Sequence, residues 1–431
     1  MDKKALTLPI LVSLVVGNMI GTGIYILPAS LAPFGYYALL AWGFTSLGAL
    51  FLALTFAHLS KRFPQTGGPI TYCQAAFGHL PGFLVANIYW ASNLVSIAAL
   101  AISSVGYLGY LTPWLDSNNA HYQPGLGLLL ELGFVWLFAL VNILGVHTAG
   151  VTQLYLTIIK ILPLVLISLI GLHSVHLLNF TLPAVHGTTG FGQLASAATL
   201  TFWAFIGLES ATVPSENTEG YRTIYKATVY GTLITAAVYI LSSFVLQGMI
   251  PASSLQNSQF PFAEAAILLF GKPAAFIIAF CAFISGIGAL NGCILLQGQI
   301  VYAAARDHYF PKAFSRLSKR DVPIAGQLFS TGVISALLIL TVQHSLLKQF
   351  DHVALLAVLL TLITYLFTAF ASLTFVVKDK LTFSKTILIP SLALLYSAWM
   401  IASFDNPYLW TALGLIIIIL PFYFLTKKYR R

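Results

Sequence analysis

The chain has 431 residues, 58% of them hydrophobic and only 8% charged, with a mean hydropathy of +0.88. Soluble domains carry about 25% charged residues, so a soluble globular protein is excluded. The formal net charge of +9 is explained by the placement of Lys and Arg described below and requires no nucleic-acid partner.

The apolar runs are continuous and near the roughly 20 residues of a spanning helix, not alternating over about 10 as in a β-barrel. Pro, Gly and polar clusters divide them into twelve spans, at 8–33, 37–60, 80–112, 125–145, 151–173, 191–216, 226–250, 273–305, 324–343, 351–376, 386–403 and 407–426. The fold class is therefore an all-α polytopic membrane protein with twelve transmembrane helices. Lys61 to His79 is amphipathic and too polar to cross, and predicts an interfacial helix on the inner face. Phe260 to Phe270 predicts a short helix outside. Cys73, Cys281 and Cys293 lie in or beside apolar segments and imply no disulfide framework. Lys3 and Lys4 run directly into the first span, so no cleavable signal peptide is expected.

Lys and Arg set the orientation. With the N-terminus inside, the inner segments hold Lys3, Lys4, Lys61, Arg62, Arg222, Lys226, the run from Arg306 to Arg320, Lys378, Lys380, Lys385, Lys427, Lys428, Arg430 and Arg431. The outer loops hold only Lys272 and Lys348, and Lys160 falls inside a span. Both termini are expected to be cytoplasmic.

Two spans are interrupted. The first contains Gly17-Asn18-Met19-Ile20-Gly21-Thr22-Gly23, poor helix material because each interior Gly costs about 1 kcal/mol relative to Ala. Irregular backbone at membrane depth is tolerated only where it is buried in protein or lines a cavity, and a half-helix N-terminus there captures anions. The sixth reads Phe202-Trp203-Ala204-Phe205-Ile206-Gly207-Leu208-Glu209-Ser210. Gly17 and Gly21 are also spaced for close helix packing. Paired breaks in spans one and six point instead to two five-span halves, 8–173 and 191–376, with the site between them and 386–426 outside the repeat. The whole of 1–431 is then one transporter domain.

These residues resemble the amino acid–polyamine–organocation superfamily. Within it they are most similar to the basic amino acid/polyamine antiporters, which include the bacterial arginine/agmatine antiporter. The resemblance rests on the two breaks, on Pro64-Gln65-Thr66-Gly67-Gly68 after span two, on Tyr89-Trp90 in span three, and on Gly298-Gln299, Ala303 to Asp307 and Phe310-Pro311 near span eight. It covers nearly the whole chain in one register. It implies a leucine-transporter-type 5+5 inverted repeat plus two extra helices, with helices 1 and 6 broken at mid-membrane.

The resemblance further implies that the N–H groups of Gly21, Thr22 and Gly23, beside Asn18, receive a substrate α-carboxylate. Carbonyls near Trp203, Phe205, Ile206 and Gly207 would accept from its α-ammonium, and Trp203 would close over it from outside with a cation–π contact. Glu209 would form a cytoplasmic-side gate with Tyr89 and Tyr365, or sense protons. Intramembrane carboxylates are functional hypotheses by default. Glu131, near the outer end of span four, reads as reaching the interface.

Lys160 is costly in mid-span unless paired, hydrated or neutral. Proton-coupled amino acid transporters of the same superfamily carry a span-five Lys where sodium-coupled relatives hold an ion, which gives Lys160 a proton-coupling role; the alternative is a Lys reaching the inner face. The side-chain pocket would be lined by Ser92, Asn93 and Ser96, and by Cys293, where the antiporter family has a Trp. That exchange removes a stacking surface for guanidinium and allows a smaller or more neutral amino acid. No metal cluster, cofactor motif or nucleotide-binding motif appears, and no catalytic set that would make an enzyme. The expectation is a secondary active amino acid transporter of the inner membrane, working by alternating access through exchange or proton symport. Its partners are an amino acid or amine, the bilayer and, under symport, protons; a homodimer is compatible with this. A transporter-like sensor is the alternative from a different class.

Overall fold

The computed structural model describes residues 6–115, 121, 123–180, 190–342, 346–379 and 385–427. Lys3, Lys4, Lys380, Lys428, Arg430 and Arg431 lie outside them. The described residues are helical almost throughout. α1 (Leu8–Met19) and α2 (Gly23–Leu31) are the two halves of the first interrupted span, followed by α3 (Tyr36–Arg62), α4 (Pro69–Phe77), α5 (His79–Leu108), α6 (Pro124–Ile143) and α7 (Val146–Gly171). α8 (Gly190–Trp203) opens the second interrupted span, followed by α9 (Tyr221–Met249), α10 (Ala252–Leu255), α11 (Pro261–Phe270), α12 (Lys272–Arg306), α13 (Ile324–Leu340), α14 (Leu346–Lys378), α15 (Lys385–Ala402) and α16 (Asn406–Lys427).

Among the described residues, 9 helical stretches are long and apolar enough to cross a membrane. The sixth, ninth and eleventh expected spans fall short of that length for physical reasons. α8 stops at Trp203, and the chain continues in tight turns to Pro214; α13 and α15 are shorter apolar helices. The two expected non-spanning segments fold as α4 and α11.

The first interrupted span is the centre of the bundle. In an 18-residue window of Leu8–Phe34, 94% of the residues are buried, against 6% in such a window of Asn406–Phe424, which flanks the bundle. α1 packs against α7, α9 and α12, while α5 packs against α12 and α14. Their large outward side chains, such as Leu140 on α6, Ile158 and Leu162 on α7, and Ile277 on α12, are exposed apolar groups suited to lipid. A short bridge ties the end that precedes α1 to the end of the second break, with Leu6 N–H donating to the Asn217 carbonyl at 2.7 Å.

Candidate substrate site

α1 ends at Met19, where Ile20 turns extended (φ −82°, ψ 92°), and α2 begins only at Gly23. The freed carbonyls are taken up by three different helices. Lys160 Nζ on α7 donates to the Gly17 carbonyl. Tyr239 Oη on α9 donates to the Met19 carbonyl at 2.5 Å, and Ser285 Oγ on α12 to the Gly21 carbonyl at 3.0 Å. Buried backbone groups without partners cost free energy, so these three caps make the break a stable feature of the fold. On the other side of the break, the start of α2 leaves N–H groups without intrahelical acceptors; Tyr25 N–H reaches the Thr22 carbonyl at 3.0 Å. Thr22 Oγ1 pairs with Ser103 Oγ on α5. A Cβ on Gly23 would stand 2.5 Å from Trp203 Nε1, so only glycine lets the indole approach.

The second break is wound tightly. Phe205 N–H bonds the Phe202 carbonyl at 2.9 Å and Ile206 N–H the Trp203 carbonyl at 3.2 Å. The Phe205 carbonyl accepts from Leu208 N–H at 3.4 Å, and the Ile206 carbonyl accepts no hydrogen bond among the described residues. Gly207 sits at φ +102°, a left-handed position that favours glycine. Asn18 Nδ2 donates to Ser210 Oγ at 2.7 Å, and that hydroxyl donates to the Gly207 carbonyl at 2.5 Å. One side chain from each break therefore locks the two together.

Glu209 follows Gly207 and is buried. Tyr89 Oη on α5 donates to its Oε1 at 2.7 Å, and Tyr365 Oη on α14 to its Oε2. Hydrogen bonds to a charged group contribute about 1.5–3 kcal/mol each. The carboxylate thus ties the turn segment after α8 to two helices, α5 and α14, at one point. On α5, Tyr89 meets Glu209, Leu100 lies against Gly21 and Ser103 meets Thr22. Helical spacing puts Ser92, Asn93 and Ser96 on that same face. Ser92 Oγ is spent on the Tyr89 carbonyl at 3.1 Å, while Asn93 Oδ1, Ser96 Oγ and Asn18 Oδ1 are buried with no protein partner among the described residues. Trp203 is half-buried and edge-on to Phe350, with ring centroids 5.6 Å apart. It lines a cleft of ≈ 180 Å³ together with Ser30, Thr199, Phe350 and Val358.

A family model described as amino acid permease matches residues 6–426. The chain belongs to the amino acid permease family. It is 33% identical over 428 residues to a putative arginine/ornithine antiporter of Bacillus subtilis, covering 91% of this chain and 90% of that protein. It is 33% identical over 369 residues to the cadaverine/lysine antiporter of Escherichia coli K12, covering 82% of this chain and 80% of that protein. The putrescine transporter PotE of the same strain is 32% identical over 354 residues, covering 81% and 79%. These relatives place the chain in the amino acid–polyamine–organocation superfamily, among multi-pass membrane transporters and not among enzymes.

In this permease Lys160 is fully buried (0% exposed), so it does not reach the inner face. No carboxylate pairs with it among the described residues. Cys293 is buried on α12. Glu131 is 1% exposed, which corrects the expectation that it reaches the interface; its helix α6 packs against α5, α12 and α13.

Sequence reading missed the second layer behind the first break. Asn142 Nδ2 donates to Asn291 Oδ1 at 3.1 Å, and Asn291 Nδ2 donates to Gln153 Oε1 at 3.1 Å. Tyr239, Ser285 and Ser103 were missed as well. Their only signal was polarity inside apolar runs, a signal that most span hydroxyls share. Arg306, noted for its charge and as part of a motif, ties the end of α12 to the segment after α3 and the segment after the second break. It bonds Glu216 Oε1 and the Thr66 carbonyl at 2.9 Å each, and Thr66 N–H reaches Glu216 Oε1 at 3.2 Å. Burial pushes the neighbouring Asp307 carboxyl above its ordinary value, against the pull of the Arg306 guanidinium.

Proposed function

We propose that this permease exchanges an amino acid carrying a primary-ammonium side chain for a related amine or amino acid, by alternating access. The observation that carries the reading is the pair of interrupted spans held face to face by the Asn18–Ser210 bond. The α-carboxylate sits at the N-terminal end of α2, on Gly21, Thr22 and Gly23. The α-ammonium meets carbonyls of the second break, Ile206 first among them, beside Phe205 and Gly207. Trp203 closes the outer side. Glu209 with Tyr89 and Tyr365 closes the inner side. The buried acceptors without protein partners, Asn93 Oδ1 and Asn18 Oδ1, suit an ammonium better than an apolar side chain, with Ser92, Ser96 and Cys293 completing the pocket. The named substrates of the relatives, arginine, ornithine, lysine, cadaverine and putrescine, support a cationic class. Cys293 in place of an aromatic argues for ammonium over the flat guanidinium.

In the same reading the fold has twelve membrane helices, with 8–173 and 191–376 as inverted five-helix repeats and 386–426 outside them. Both termini face the cytoplasm, and the membrane is the bacterial inner membrane. The alternative, proton symport through Lys160, is not favoured by the relatives named as antiporters; what speaks for it is a buried Lys with no carboxylate partner among the described residues, bonded to the break itself.

A counterflow panel tests the substrate class. Proteoliposomes loaded with lysine, ornithine, cadaverine, putrescine, arginine or alanine are assayed for uptake of labelled lysine. Ornithine or lysine inside is expected to drive uptake at least about 10-fold better than alanine, the ratio that 1.4 kcal/mol of discrimination yields. Cys293→Trp is expected to shift preference toward arginine by a similar factor. Equal counterflow on alanine, together with an unchanged preference in Cys293→Trp, would refute the pocket assignment.

A further inference from the structure

We propose that the cleft between the end of α3 and the start of α9 is a binding site for the phosphate headgroup of an anionic phospholipid. The cleft has a volume of ≈ 310 Å³ and is walled by His58 and Lys61 of α3 and by Tyr221, Arg222, Tyr225 and Lys226 of α9. Three of those side chains are cations, and all three are exposed. No carboxylate lines the cleft, and none pairs with Lys61, Arg222 or Lys226 among the described residues. Arg62, one residue further along α3, makes the contrast. Its charge is met by Asp379, which lines a neighbouring cleft together with His58, Lys61 and Arg62. The cleft facing α9 has no such carboxylate among its lining residues.

The aromatic residues fix these cations in place. Lys61 Nζ lies 5.6 Å above the centre of the Tyr221 ring, and Arg222 Nε donates to Tyr221 Oη at 3.3 Å. The His58 ring stands edge-on to Tyr225, with centroids 5.7 Å apart. α9 begins here at Tyr221, preceded by Gly220 (φ +116°), so the free N–H groups at its start add to the positive end. Tyrosines beside Lys and Arg at helix ends are the composition of a membrane interface, and basic pockets between spanning helices hold lipid headgroups.

What commits the occupant to a lipid is the surface below. Lys226, Tyr230, Leu233 and Ile234 fall at i, i+4, i+7 and i+8 on one face of α9. Tyr230 is 51% exposed, Leu233 46% and Ile234 43%. An acyl chain has an apolar wall directly under the cations, whereas a free phosphate would leave that wall bare.

The test is native mass spectrometry of the full-length protein taken from mixed phosphatidylcholine–phosphatidylglycerol vesicles. Three proteins are compared: the parent, the triple variant Lys61→Gln/Arg222→Gln/Lys226→Gln, and a charge-matched control, Lys312→Gln/Arg316→Gln/Lys319→Gln. Parent and control are expected to retain phosphatidylglycerol in preference to phosphatidylcholine. The triple variant should hold it on the order of 100-fold more weakly, about 5-fold per cation removed. Single Arg222→Glu, at an exposed position, should weaken retention at least about 5-fold and serves if the triple variant fails to fold. Equal retention by the triple variant and the control, equal retention of phosphatidylcholine by the parent, or displacement of the lipid by inorganic phosphate would overturn the proposal.

Discussion

Glu209→Ala is expected to reduce exchange by at least about 100-fold while the protein still folds. The carboxylate accepts from Tyr89 on one oxygen and Tyr365 on the other. Removing it takes away two charge-assisted bonds of about 1.5–3 kcal/mol each and leaves two phenols buried without an acceptor. The segment after Gly207 then loses its tie to both α5 and α14. Glu209→Gln should fall between parent and Ala, because an amide oxygen accepts from one phenol while its NH2 cannot accept from the other. Tyr89→Phe and Tyr365→Phe each remove one donor and leave a carboxylate with a single partner, so each should cost less than Glu209→Ala. Initial counterflow rates, normalised to monodisperse protein, check the order parent, Gln, Ala. A Glu209→Ala rate within about twofold of the parent would remove the carboxylate from the mechanism.

Lys160→Met is expected to separate stability from transport. A buried unpaired ammonium carries a desolvation penalty of several kcal/mol, and an apolar side chain of similar volume relieves it. Against that, the Gly17 carbonyl loses its donor, at about 1–3 kcal/mol. The two terms nearly cancel, so the apparent melting temperature should stay close to that of the parent. Transport should not survive so well. The ammonium is one of three caps that hold the first break open, and it is the only charged one. A loss of exchange of about 10-fold or more corresponds to 1.4 kcal/mol at the break. Lys160→Met with full exchange would make the Lys a packing residue. Lys160→Met with exchange intact but no residual response to an imposed pH gradient would favour the symport reading.

Much of the central geometry was legible in the residues. Glycines mark where a helix must fail: α1 ends at Met19, between Gly17 and Gly21, and α8 ends at Trp203, shortly before Gly207 at φ +102°. Tyr89, Glu209 and Tyr365, far apart in the chain, were named together from the family resemblance, and their side chains meet. Helix boundaries were less legible. The fifth span was expected from 151 but starts at Val146. Gly150, which looked like a boundary, is a packing glycine against Ile10 and Leu6, and the real cap is Gly145 at φ +133°. α9 starts at Tyr221 because a helix carrying Arg222 and Lys226 extends past the apolar run that predicted it. What hydropathy could not reveal was which side chains cap the break. Lys160, Tyr239 and Ser285 reach it from three helices, and only their three-dimensional packing selects them from dozens of polar residues in apolar runs.

The measurement closest to the central claim is uptake of labelled lysine into proteoliposomes under two conditions. One set holds unlabelled lysine inside and no pH gradient; the other is empty, with an acidic exterior. The exchange reading predicts rapid uptake into the loaded vesicles and none above background into the empty ones, with Glu209→Ala inactive in both. Uptake into empty vesicles that follows the pH gradient, at a rate matching the loaded set, would contradict it.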